Sequence, residues 1–101
     1  MKVALRCTFA SHSFHQYTAV RQDHLRYLEA HKEQILSSGV TLDEEGSPGV
    51  LLIMLAVSDL GYAKSFIEAE PYNQAGCFEQ VVIRLLNQSS SKYSLEKLLH
   101  C

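Results

Sequence analysis

The 101 residues are enough for one domain with one core. With 47% hydrophobic and 20% charged residues, the composition is that of a globular chain rather than a disordered one. Nine basic residues against eleven acidic ones leave a net charge of −2, which gives no basic face for a nucleic acid and sets that class of partner aside.

No apolar run approaches the roughly 18 residues of a membrane helix. The longest, "GVLLIMLAV", has the length of a strand. The opening "MKVALRCTFASHSFHQ" carries an arginine and two histidines where a secretory signal needs an unbroken apolar stretch. The expectation is a cytoplasmic protein without a membrane partner. Cys7, Cys77 and Cys101 are odd in number and contain no C-x-x-C pair, so neither a disulfide framework nor a zinc site is expected.

Lys2–Phe9 alternates, with Val3, Leu5, Cys7 and Phe9 on one side, and predicts a strand. "ASHSFHQY" predicts a loop. Thr18 can cap a helix over 19–37, with Gly39 ending it. Val20, His24, Leu28, His31 and Ile35 would share one face of that helix. A short strand is predicted at 40–44, a turn at "EEGSPG", and an almost wholly apolar strand at 50–57 that calls for burial on both faces. Ser58 or Asp59 can cap a second helix with Ala63, Phe66 and Ile67 as its inner stripe, and Pro71 stops it. Phe78–Leu86 is the last strand, with Val81, Ile83 and Leu85 on one side. The serine-rich stretch from Asn87 reads as a linker, and "LEKLLH" as a short C-terminal helix. The expected division is therefore a domain over 1–86 and a linker with a short helix over 87–101.

The order β-α-β-β-α-β predicts a ferredoxin-like α+β fold, a four-stranded antiparallel sheet with two helices on one face. The strand at 50–57 is apolar on both sides, yet both helices cover only one. A second copy of the chain, packed sheet to sheet, is the expected cover. The C-terminal helix competes for that place but is short.

Within this order "EAEPYNQAGCFEQVVIR" resembles the "D-P-Y-x-x-A-G" and strand segment of the YciI-like (YCII-related) family. "VRQDHLRYLEAHKEQILSSG" is similar to its "R-x-x-H-L-x-x-L … G" helix, and "LLIMLAVSDLGYAKSFIEAEPY" to its strand and following helix. The resemblance implies a dimeric α+β barrel and a histidine facing an aspartate in a pocket. It places the histidine at His24, the arginine at Arg21 and the tyrosine at Tyr72. The aspartate falls at Glu70, one methylene longer. A "G-P" that the family often carries after its second strand has no counterpart in "LDEEGSPG".

His24 and Glu70 are polar residues where helical spacing calls for apolar ones, and both helices face the same sheet. A carboxylate beside an imidazole fixes its tautomer and raises its basicity. The expected function is a small enzyme using the pair for general acid/base chemistry (isomerisation, elimination or dehydrohalogenation) on a small, even aromatic-derived, molecule. Tyr72 and Arg21 would position the substrate, and no cofactor or metal is called for. The alternative is a non-catalytic dimeric ligand-binding or accessory domain in which the pair is a satisfied buried ion pair. His31, His12 and His15 read as structural or loop histidines. Nothing matches a nucleotide-binding or serine-hydrolase motif.

Overall fold

The computed structural model of the chain describes residues 1–87. The elements run β1 (Lys2–Phe9), α1 (Phe14–Ala30), β2 (Ile35–Leu42), β3 (Pro48–Ala56), α2 (Leu60–Ala69), a single turn α3 (Pro71–Gln74) and β4 (Phe78–Leu86). The strands form one antiparallel sheet in the order β2-β3-β1-β4. This is the ferredoxin-like arrangement. The expected linker and C-terminal helix lie outside the described residues.

β1 and β3 are the central strands. Their register sets Val3 opposite Leu55, Leu5 opposite Ile53 and Cys7 opposite Leu51. All six are buried and form the floor on which the helices sit. On the other side of β1, Val81, Ile83 and Leu85 of β4 stand opposite Cys7, Leu5 and Val3, so the predicted alternation of β4 holds. Toward this edge the cover thins, and Leu85 is exposed.

α2 follows the sequence closely. Asp59 accepts the Tyr62 N–H at 2.8 Å as its cap, and Ala63, Phe66 and Ile67 are buried. Pro71 ends it and begins α3, and Gly76, at φ +73°, turns the chain into β4.

α1 departs from the expectation at both ends. It starts after Ser13, five residues before 19, and stops at Ala30 instead of 37. Thr18 is inside the helix, where its hydroxyl donates to the Phe14 carbonyl at 3.0 Å rather than capping. The early start has a packing reason. Tyr17 stacks on Tyr72 at 5.1 Å and meets Phe9 edge-on at 5.3 Å, which anchors the first turn to the core. At the far end a turn through His31–Gln34 takes over, held by the Gln34 N–H to His31 carbonyl bond at 3.0 Å. Ile35 is then a strand residue, not part of the α1 face. The predicted strand at 40–44 is the end of a longer edge strand, with register shifts at Ile35/Ser37 and Val40/Leu42. Gly39, expected to end a helix, lies in its middle opposite Leu52.

β3 is buried on one side only within a single chain. Leu51, Ile53 and Leu55 face the core, whereas Leu52 is 47% exposed on the outer face of the sheet. No described helix is long and apolar enough to cross a membrane.

Candidate active site

The loop between α2 and α3 sets the acid. Glu70 has extended backbone (φ −65°, ψ 132°), so it ends α2 and caps α3 at once. Its Oε2 accepts the N–H groups of Tyr72 at 2.9 Å and Asn73 at 3.3 Å. Its Oε1 accepts from Nδ1 of His24, in the middle of α1. Glu70 is fully buried. Three donors and the start of a helical turn compensate the carboxylate for lost water. The negative charge reaches its neighbours. Burial first, and Glu70 second, push the Cys7 thiol up to about 12 and raise that of Cys77. Both cysteines are buried small residues held as thiols.

His24 is 4% exposed. Its ring lies on that of Tyr72, centroids 4.2 Å apart and planes 24° from parallel. With Nδ1 donating to Glu70, Nε2 is the free position. Among the described residues nothing bonds to Nε2, and no buried side-chain nitrogen or oxygen lacks a partner, so Nε2 retains an opening. That opening is a hollow of about 310 Å³ bounded by Tyr17, Arg21, His24, Leu25 and Leu28 of α1, Ser38, Gly39, Val40 and Leu42 of β2, Leu51 of β3, and Tyr72. A larger hollow of about 410 Å³ around Met1, Gln34, Val57 and Tyr62 shares none of these residues.

The structure thus brings three of the four candidate residues, Arg21, His24 and Tyr72, to one pocket, and sets the fourth, Glu70, buried behind His24. His24 and Glu70 touch, the Tyr72 ring packs on His24, and Arg21 stands one turn before His24 with its side chain exposed at the wall. The Tyr72 hydroxyl is held protonated. Burial raises its pKa, and the neighbouring Tyr17 raises it further; Arg21 opposes this. Tyr17, at the end of the loop expected over "ASHSFHQY", lies instead in α1 and joins the pocket wall. Its signal is the i, i+4, i+7 spacing with Arg21 and His24, visible only once the helix is known to begin at Phe14.

The remaining histidines stand apart. His12 and His15 are exposed, and His31 donates from Nδ1 to the Tyr27 carbonyl at 2.8 Å as α1 ends. Among the described residues no three or more histidine, cysteine, aspartate or glutamate side chains gather into a metal-binding group.

The family model described as YCII-related domain matches residues 1–87. Solved structures share the fold. 5-Chloro-2-hydroxyhydroquinone dehydrochlorinase (TftG) from Burkholderia phenoliruptrix AC1100, in complex with 2,5-dihydroxybenzoquinone, superposes with a TM-score of 0.80 at 22% identity, over 88% of this chain and 96% of that one. An antibiotic biosynthesis monooxygenase gives 0.52 at 10% identity, over 88% and 98%. Rv0793 from Mycobacterium tuberculosis gives 0.51 at 12% identity, over 88% and 97%. No curated protein matches the chain.

Proposed function

The chain belongs to the YCII-related domain family, and on that premise we propose that it is a small enzyme that moves a proton on a compact organic molecule. His24 is the general acid/base and Glu70 its orienting carboxylate. The observation that carries this reading is an imidazole pinned through Nδ1 by a buried acid while Nε2 faces a pocket. Nε2 accepts a proton from a substrate C–H or O–H group. Glu70 stabilises the imidazolium that results, and the same nitrogen returns the proton elsewhere. Tyr72 and Arg21 position the substrate. The pair needs no cofactor for this chemistry. Elimination fits the same machinery: one proton goes to Nε2, a halide leaves, and the bonding pair becomes a double bond. The likeness of fold to a dehydrochlorinase makes this the first reaction to try.

The working unit we propose is a homodimer packed through the outer faces of the sheets, which would cover Leu52.

The test uses 5-chloro-2-hydroxyhydroquinone and a panel of related ring compounds in deuterated water. Chloride release and deuterium incorporation are followed for wild type and His24→Asn. Wild type should accelerate one or both, and the variant should lose about 10²–10⁴-fold. Rates equal to buffer across the panel, or an unimpaired variant, would contradict the reading.

A second reading has one observation of its own. Because Glu70 also caps α3, it has a structural task whether or not His24 catalyses. In that case the chain is a dimeric ligand-binding or accessory domain, and removing the pair lowers stability alone.

A further inference from the structure

Four rings form a column from the buried pair to the surface. His24 lies on Tyr72, Tyr72 on Tyr17 (5.1 Å, 14° from parallel), and Tyr17 on Phe14 (6.1 Å, 21°). Tyr17 and Tyr72 both line the pocket beside His24. Arg21 lies on α1 between Tyr17 and His24 and lines the same wall. On this helix Arg26 pairs with Asp23, and Glu29 pairs with Lys32 just past the helix end, whereas Arg21 has no ion-pair partner among the described residues. Apart from Ser38 and Gly39, the rest of the lining is apolar: Leu25 and Leu28 farther along α1, with Val40, Leu42 and Leu51 of the sheet.

We propose that Tyr17, Tyr72 and Arg21 form a seat for a substrate oxyanion, so that the site selects single-ring phenols or enolisable cyclic ketones. This rests on the acid/base reading of His24 and names its substrate class. The volume, about 310 Å³, is near the lower end of the roughly 300–1,000 Å³ usual for small-molecule sites and suits one ring. The apolar wall takes the ring's face. When His24 Nε2 removes a proton from carbon, the C–H pair becomes a C=C bond and the carbonyl π pair moves onto oxygen. That oxygen gains the charge, and two phenolic donors with a guanidinium are placed to receive it. For a phenol already ionised, the same three groups hold the ground-state anion. Tyr17 is then a binding residue that the family resemblance does not assign.

The probe is 4-nitrophenol, whose ionised form is read by its own absorbance, with 4-nitroanisole as the ring that cannot ionise. Wild type should bind nitrophenolate in preference to nitroanisole and lower the apparent pKa of the bound phenol. Tyr17→Phe keeps the ring stack, and Arg21→Gln removes the charge. Each should weaken nitrophenolate binding roughly ten-fold while leaving nitroanisole unchanged. Equal affinity for the two probes, no binding of nitrophenolate, or no effect of either variant would overturn the seat. His24→Asn separates the two claims. If it abolishes turnover while both variants leave the nitrophenolate preference intact, the seat falls and the acid/base reading stands. If it turns over normally while Tyr17→Phe and Arg21→Gln lose nitrophenolate, the reverse holds.

Discussion

Glu70 meets two demands at a single position. It closes one helix and opens the next, and the geometry that does so aims its second oxygen at His24. A polar residue on an apolar stripe was the sequence's clue to this site, and the same clue exposed His24. What the sequence could not reveal was the third layer of the stack, because Tyr17 looks like any loop tyrosine until its helix is placed. Tyr72 carries a prediction of its own. Its folded pKa is raised, so the native state keeps the phenolic proton that the unfolded chain gives up near its ordinary value of about 10. The associated stability is fully present below that pH and is lost as pH rises from there through the raised folded value. Denaturant unfolding across the alkaline range should show stability declining above about pH 10, and less steeply in Tyr72→Phe. Parallel curves for the two proteins would contradict this.

At the scale of elements, legibility followed local signal strength. β1, α2 and β4 each have a clean period and β3 an unbroken apolar run of strand length, and each lies close to its predicted span. α1 and β2 do not. Thr18 resembles a helix start, but the contacts of Tyr17 with Phe9 and Tyr72 hold the first turn farther back, at Phe14. No glycine or proline marks the end at Ala30, and "ILSSGVTL", an edge strand with two serines and a glycine at its centre, reads as a helix end followed by a short strand. The two candidate caps are therefore expected to behave differently. Asp59→Ala, which removes a true cap, should cost about 0.5–2 kcal/mol. Thr18→Ala, inside a helix and exposed, should be neutral or slightly stabilising, because alanine is the better helix former. Chemical denaturation of both variants checks this. A loss in Thr18→Ala as large as in Asp59→Ala would place the helix start where the sequence suggested.

At the scale of the whole molecule, the pattern of β3 pointed to something beyond one chain. Leu52 stands on the outer face between Arg6 and Gly39, and Arg6 pairs onward with Val82. The apolar Leu52, left open by both helices, is what a sheet-to-sheet contact would cover. Sedimentation velocity should give a dimer that Leu52→Glu converts to monomer without unfolding it. A wild-type monomer at high concentration would remove the proposed assembly. The claim on which the functional account depends is that Glu70 holds the proton of neutral His24 on Nδ1 and leaves Nε2 open as a base. A long-range proton–nitrogen-15 spectrum of the imidazole at mildly alkaline pH reads this directly. The account predicts an unprotonated Nε2 in wild type that shifts when 2,5-dihydroxybenzoquinone is added, and a tautomer reversed in Glu70→Gln. A proton on Nε2 in wild type, or a resonance indifferent to every ring ligand, would contradict it.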